Sequence, residues 1–291
     1  MHISFHIGAH CTDEDQLVKS LLKNSDTMVK EGVAVPAPSR YRQLVSNAVN
    51  TLGGQPASRD TQDVLLEAML DTDSAERIVL SHESFMGAPQ VAVDGDILYP
   101  KARDKTFALR NLFPEAKVEF FLAVRDPATW VPALHGKFKD TPFRHFRATI
   151  EPEAFLWSEV VRDIREANPN SPITVWCNED TPMIWPEVLH EVAGLDAQVQ
   201  LIGGFDVLSR IMAREGIKRL RTYLSTHPPV NEIQRRRVLA AFLDKYVIDD
   251  QVEEELDLPG WPPELVEALT AAYDDDMLEV ARMPGVTLLT A

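Results

Sequence analysis

Apolar and polar residues alternate at the beginning of the chain, over residues 3–7. An alternation with a period of two is typical of a β-strand. Gly8 allows a sharp turn out of that strand, and apolar residues at helical spacing between positions 17 and 22 indicate a helix behind it. The opening segment is therefore predicted to form a strand, a tight turn and a helix.

The alternation of strands and helices continues to about residue 180. Apolar segments predict strands near residues 3–8, 32–35, 77–82, 117–124 and 172–177. Segments with helical periodicity lie near residues 13–24, 41–52, 60–71, 103–112, 128–138 and 152–167. Strands that are apolar along most of their length are typical of a parallel sheet buried on both faces. The sequence thus predicts an α/β fold with a central parallel sheet, helices on both faces, and residues 3–7 in the interior of the sheet.

After about residue 181 the pattern is helical. Helices are predicted near residues 186–192, 207–224, 233–246 and 263–273, with prolines and Gly260 between them. No Gly/Ser-rich linker precedes this part of the chain. We therefore expect residues 1–180 to form the α/β core and residues 181–291 to form a helical C-terminal subdomain packed on that core.

Composition narrows the classes of function. The chain is 45% hydrophobic, which is ample for a core, and no apolar run approaches the ~20 residues of a membrane span. The net charge of −16 repels nucleic acid and anionic lipid. These features predict a cytoplasmic protein that binds neither nucleic acid nor a membrane.

Charge is unevenly distributed in the C-terminal third. Basic residues cluster between positions 214 and 237, and acidic residues cluster at 249–257 and 274–276. The clusters are either solvated faces of helices or complementary patches that join two copies of the chain in a homo-oligomer. The sequence leaves both interpretations open.

The turn behind the first strand has the layout of an anion-binding site. A helix that begins there presents free backbone N–H groups and the positive end of its dipole to one point. Asp13, Glu14 and Asp15 occupy that point. Thr12 and Asp15 also have the spacing of a capping box, in which the protein's own side chains satisfy the helix start.

This turn resembles the 5′-phosphosulfate loop of the bacterial sulfotransferases, a family with a P-loop fold. The resemblance rests on Ile7, Gly8, His10 and Thr12. The chain departs from the family pattern at Cys11, where the family has a phosphate-contacting lysine, and at 13–15, where it has a glycine and two hydroxyl residues. The departures predict weak or no binding of the donor, 3′-phosphoadenosine-5′-phosphosulfate.

Two further segments resemble the same family in the same order, so that the resemblance covers roughly residues 1–180. Residues 118–127 predict a strand ending in Arg-Asp-Pro, and Arg125 matches the family's arginine for the donor's 3′-phosphate. Ala133 stands where the family has an assisting serine. Residues 77–84 resemble the third strand of the family, which ends in a serine and a glutamate near the acceptor, here Glu83.

The resemblance implies transfer of a sulfuryl group from 3′-phosphoadenosine-5′-phosphosulfate to a small hydroxyl or amine acceptor. In such an enzyme Gly8, Thr12 and Arg125 would bind the donor. His10 and Glu83 would take part in catalysis, with His10 as a general base or hydrogen-bond donor beside the transferred group. The alternative is a non-catalytic binding or interaction module on the same fold, because a fold alone does not carry an activity.

The candidate residues also have structural interpretations. His10 is alternatively a polar residue of the turn, and Arg125 alternatively forms a salt bridge with Asp126 or a loop carboxylate. If an anion binds, residues 135–147 are the place to look, because they have local positive character and include Lys137.

A metal site and a disulfide are not predicted. His6, His10, His82 and Glu83 would have to converge to bind zinc or iron, and no ligand motif supports such a site. Cys11 and Cys177 follow strands that are expected to have another strand between them, which places the two sulfurs beyond disulfide reach. Both are expected to be free thiols.

Overall fold

The structure is a computed structural model that describes residues 1–71, 74–138, 141–248, 251 and 258–291. Most of the acidic segment predicted at 249–257 lies outside these residues. The described strands are β1 (His2–His6), β2 (Val33–Ala34), β3 (Arg77–Ser81), β4 (Val93–Asp94), β5 (Ile97–Leu98), β6 (Lys117–Val124), β7 (Ile173–Cys177) and β8 (Val286–Leu289).

The described helices surround these strands. In the α/β part they are α1 (Gln16–Leu22), α2 (Ser25–Lys30), α3 (Pro38–Leu52), α4 (Arg59–Met69), α5 (Ala102–Asn111), α6 (Pro127–His135), α7 (Phe143–Arg147) and α8 (Trp157–Ala167). They continue with α9 (Thr181–Ala193), α10 (Leu208–Ile211), α11 (Arg214–Thr226), α12 (Glu232–Tyr246) and α13 (Pro263–Arg282).

Six strands form one parallel sheet in the order β2-β3-β1-β6-β7-β8. β1 pairs with β3 on one side and with β6 on the other, so that Phe5 lies between Leu80 and Phe120. The predicted α/β fold, with a parallel sheet and residues 3–7 in its interior, is confirmed.

Helices cover both faces of this sheet. Ile3 and Phe5 point into the larger core, which contains buried residues of α3, α4, α5, α6, α8 and α13. Val79 and Phe121 belong to the smaller core on the other face, together with residues of α1, α2 and α9. Because neighbouring side chains of a strand point to opposite faces, a strand buried on both faces is apolar along most of its length.

The sequence pattern did not predict β8 or the antiparallel β4–β5 hairpin. These strands have four and two residues, and such short apolar runs carry too little periodicity to be recognised. Several helices also begin elsewhere than expected. α3, α8 and α11 begin at Pro38, Trp157 and Arg214, against predicted starts near residues 41, 152 and 207. α1 begins at Gln16 and not near residue 13, and α9 begins at Thr181 and runs through Pro186.

The C-terminal part contributes a helix and a strand to the α/β core. α13 packs against α6 and α8, and β8 pairs with β7. α11 and α12 pack against each other around a small cluster that includes Leu220 and Leu239. The boundary near residue 180 stays a prediction. Within the described part of the chain, no helix combines the length and apolar character needed to cross a bilayer.

Candidate functional site

The carboxyl ends of β1, β3 and β6 meet at one edge of the sheet. Ligands of open α/β sheets bind at this edge, where connections leave neighbouring strands in opposite directions. Here α1 follows β1 on one face, and α6 follows β6 on the other face. A cavity of about 290 Å³ lies at this edge, between the connections that follow β1 and β3. We call it the carboxyl-edge cavity.

The connection from β1 to α1, residues 7–15, is called the β1 loop. It contributes Ala9, Asp13, Glu14 and Asp15 to the cavity lining. Gly8 has φ +112°, and a Cβ atom at this position would lie 3.1 Å from the Glu83 carbonyl oxygen. Cys11, Glu14 and Asp15 have φ values of 61°, 49° and 65°, in the left-handed region. Glu14 and Asp15 lie in the segment that the sequence pattern predicts to be helical. Because their backbone is left-handed, α1 begins only at Gln16.

Asp13 satisfies the start of α1. Its Oδ1 accepts a hydrogen bond from the backbone N–H of Leu17 at 2.8 Å, and its carbonyl oxygen accepts one from Gln16 at 2.9 Å. Burial raises the pKa of Asp13 to about 7, although the Leu17 N–H opposes this shift. The point that would face an external anion is thus filled by a carboxyl group of the protein.

The predicted capping box is wrong. The Thr12 hydroxyl donates to the carbonyl oxygen of Ala9 at 2.7 Å and not to the helix. Asp15 instead forms a two-pronged ion pair with Arg42 of α3. This hydrogen bonding lowers the pKa of Asp15. The left-handed backbone of the loop turns both side chains away from the geometry that a capping box requires.

Arg42 is a cavity residue that the sequence analysis missed. Its guanidinium donates to the Ser81 carbonyl oxygen, with Nε and Nη2 both at 3.1 Å, and so links α3, β3 and the β1 loop. Nothing in the local pattern of α3 distinguishes Arg42 from a solvated helix residue. Its role follows from the sheet topology that places α3 beside the end of β3.

Lys137 also lines the cavity, two residues beyond the end of α6. Its Nζ lies 3.4 and 3.5 Å from the two carboxylate oxygens of Glu83. Burial lowers the pKa of Lys137, but the Glu83 charge outweighs this effect and the net shift is upward. Lys137 is therefore a charged amine, and its stretch of sequence is the one where an anion site was expected.

His10 belongs to the β1 loop, but its side chain is buried and does not line the cavity. Its backbone N–H donates to the Tyr99 hydroxyl at 2.8 Å, and its Nδ1 lies 2.7 Å from the same oxygen. The Tyr99 proton is therefore available to Nδ1, which leaves the hydrogen on Nε2, 3.4 Å from Ser84 Oγ. Burial lowers the pKa of His10 to about 4. The catalytic role predicted for His10 would require this packing to open.

Two other histidines present nitrogen atoms with no partner. His6 is 1% exposed, and its Nδ1 lies 2.8 Å from Ser81 Oγ, while its Nε2 is buried with no hydrogen-bond partner. Nδ1 of His82 is buried and unpartnered as well. Burial lowers the pKa of each imidazole to about 4, with Arg42 contributing. Both residues line the cavity as neutral rings.

Arg125 reaches the β1 loop, as expected from its position at the end of β6. Its Nη1 donates to the Cys11 carbonyl oxygen at 3.0 Å, and its Nε donates to Thr129 Oγ1 at 2.9 Å. Asp126 caps α6 through Ala128 N–H at 2.8 Å and accepts from Thr270 Oγ1 at 2.6 Å. Whether Arg125 also binds a phosphate stays a prediction.

The five predicted site residues are thus brought to one edge of the sheet with different access to the cavity. Glu83 lines it, whereas Gly8 does not line it and lies close to the Glu83 backbone. Thr12 and Arg125 donate to backbone carbonyl groups of the β1 loop, and the His10 side chain is buried outside the cavity lining. Burial raises the pKa of the Cys11 thiol to about 11, and both cysteines are free, as expected.

No protein-family model, curated protein or solved structure matches this chain. Among the residues that the structure describes, no group of three or more potential ligands is arranged to hold a metal ion. Chemically, the cavity offers two paired cations, several carboxylates and two neutral imidazoles. Such a set can bind a small polar molecule.

Proposed function

We propose that this protein is a small-molecule binding module on a sulfotransferase-like α/β fold, and that it does not transfer sulfuryl groups efficiently. The observation that carries the proposal is the Asp13 carboxyl at the start of α1, where the phosphosulfate of the donor would lie. Two like charges ~4 Å apart repel by roughly 4 kcal/mol at an effective dielectric near 20. A donor that entered would have to displace Asp13 from the Leu17 N–H, and above the Asp13 pKa of about 7 it would also meet this repulsion.

Sulfuryl transfer is the second candidate, and Lys137 is the observation that favours it. Its Nζ supplies a cation to the cavity that the β1 loop itself lacks. Release of Lys137 from Glu83 would give the donor one charge-assisted contact, worth ~1.5 to 3 kcal/mol. That gain is smaller than the repulsion by an ionised Asp13, and Asp13 occupies the Leu17 N–H in either protonation state. The binding-module proposal therefore stands first.

The test is calorimetric titration with adenosine 3′,5′-bisphosphate, the product form of the donor. We expect no micromolar binding by the natural protein. A variant with Cys11→Lys, Asp13→Gly, Glu14→Thr and Asp15→Ser restores the loop pattern and is expected to bind at least tenfold more tightly. Micromolar binding by the natural protein would overturn the proposal and favour the transferase.

A control variant separates the loop from the general effect of charge. Asp60→Ser, Asp63→Thr and Glu67→Lys make the same change in net charge on the exposed side of α4. This control is expected to leave the titration unchanged. If it gained as much affinity as the loop variant, the loop carboxylates would not be the cause.

A further inference from the structure

α11 carries a row of positive charges on its outer side. Arg214, Lys218 and Arg221 follow one another at intervals of four and three residues, so that they share one face of the helix. All three side chains are exposed, and we call them the basic stripe. Glu215, the one acidic residue of α11, is paired with Arg219. Within the described part of the chain, no carboxylate lies within ion-pair distance of the basic stripe.

Apolar surface flanks the basic stripe on both sides. On one side α11 and α12 form a groove of about 510 Å³ beside Lys218, whose aromatic residues are Tyr223, Phe242 and Tyr246. Tyr223 is 41% exposed. On the other side Lys218 lines a second, wider depression, whose apolar residues are Met212, Ile217 and Ile248. Ion pairs on a protein surface contribute only ~0 to 1 kcal/mol each, so that a stable contact between proteins also needs apolar surface of this kind.

α13 presents the opposite charge on its outer side. Four exposed carboxylates share the helix face opposite to its buried residues, namely Glu264, Glu267, Asp274 and Asp275. We call them the acidic stripe. Among the residues that the structure describes, none of the four has a cation within ion-pair distance. Exposed apolar residues lie on the same face, and one of them, Leu278, is 55% exposed.

The two stripes match in spacing as well as in charge. Arg214 and Arg221 are seven residues apart, as are Glu267 and Asp274, and seven residues of an α-helix span ~10.5 Å. Two such helices side by side can therefore bring both cations against both carboxylates. Both stripes are exposed in the same molecule, so that neither covers the other. A second copy of the chain supplies each stripe with the partner that it lacks.

We propose that the protein associates with a second copy of itself, with the basic stripe of each copy on the acidic stripe of the other. Two equivalent contacts of this kind are compatible with a two-fold dimer. The net charge of −16 repels two copies at a distance. At physiological ionic strength this repulsion is screened beyond ~8 Å, whereas paired charges in the contact lie closer than that. Self-association is independent of what the carboxyl-edge cavity binds.

Sedimentation velocity with charge-reversal variants tests the contact. We expect the natural protein to sediment as a dimer at ~100 µM and to dissociate on dilution. Arg214→Glu, Lys218→Glu and Arg221→Glu together reverse the basic stripe, and Glu264→Lys, Glu267→Lys and Asp274→Lys together reverse the acidic stripe. Each variant alone is expected to associate at least tenfold more weakly. An equimolar mixture of the two is expected to regain the association, because the reversed basic stripe then meets the reversed acidic stripe.

The mixture makes the test independent of the natural charge pattern. A natural protein that remains a single copy at ~100 µM would overturn the inference, and so would a mixture that does not associate. Lys30→Glu, Lys101→Glu and Lys117→Glu make the same change in net charge at exposed positions elsewhere. This control is expected to associate as the natural protein does. An equal loss in the control would show that net charge and not the basic stripe governs the association.

Two further variants test whether α13 is the partner of the basic stripe. Leu278→Gln changes no charge and is expected to weaken the association about threefold, whereas Val64→Gln, at an exposed position of α4, is expected to change nothing. Glu253→Gln, Glu254→Gln and Glu255→Gln remove three carboxylates from the acidic segment outside the described residues and are expected to preserve the association. Dissociation by this last variant, with no effect of Leu278→Gln, would assign the acidic partner to that segment and overturn the inference.

Discussion

At the scale of single residues, Asp13 couples the structure of the β1 loop to pH. Its pKa is about 7 in the folded protein, compared with the ordinary aspartate value of 3.8 that applies to the unfolded chain. The unfolded chain therefore loses this proton first as the pH rises, and between these two values the unfolded state binds fewer protons than the folded state. Asp13 consequently lowers the stability as the pH rises from about 4 to about 7.

Asp13→Asn is expected to remove this loss, because asparagine keeps the acceptor for the Leu17 N–H without the charge. The unfolding free energy of the variant minus that of the natural protein should increase by ~1 to 3 kcal/mol when the pH is raised from about 4 to about 8. Urea unfolding at both pH values measures the difference. The exposed Asp63→Asn serves as the control, and an equal difference for both variants would contradict the assignment to Asp13.

The residue types of the β1 loop could be predicted to disfavour an anion, but the side chains that contact the loop could not be predicted. The acidic residues 13–15 and the absence of a lysine at position 11 are visible in the chain itself. Arg42 was not predictable, because its contact with Asp15 depends on how α3 packs beside β3. The burial of His10 follows from Tyr99, which lies 89 residues away.

At the scale of elements, periodicity identified the long helices and the buried strands, and it failed where backbone conformation overrides it. α1 begins late because residues of the β1 loop adopt left-handed conformations that its apolar pattern does not reveal. The Arg-Asp-Pro motif was correctly placed at the end of β6. The carboxyl of Asp126 caps α6 and bonds to Thr270 of α13, a contact between distant segments.

Asp126→Ala is expected to destabilise the protein by ~2 kcal/mol, because it removes a helix cap and a buried acceptor together. Asp126→Asn keeps one acceptor oxygen and should lose less. Chemical unfolding monitored by tryptophan fluorescence measures both changes. Asp63→Ala, at an exposed position of α4, is the control, and a loss no larger than that of the control would contradict the role assigned to Asp126.

At the scale of the whole molecule, the fold class was predictable because it depends on summed patterns, and errors in single elements do not change it. Strand order was not predictable from periodicity. The cavity depends on that order, since it places the end of β3 and the end of β6 on either side of β1. The lining of the cavity contains four carboxyl groups and two cations, so that its excess charge has the same sign as the net charge of the chain.

The position of β8 has a consequence for self-association. β8 pairs with β7 at one border of the sheet and thereby satisfies the backbone groups of a strand that contains Ile173, Val175 and Trp176. Without β8, β7 would present an apolar, unpaired border that can recruit the same border of another molecule. Deletion of residues 284–291 is therefore expected to produce larger species in light scattering after size-exclusion chromatography. Deletion of residues 290–291 alone, which leaves β8 in place, should elute as the full chain does, and identical profiles for both deletions would show that β8 does not protect this border.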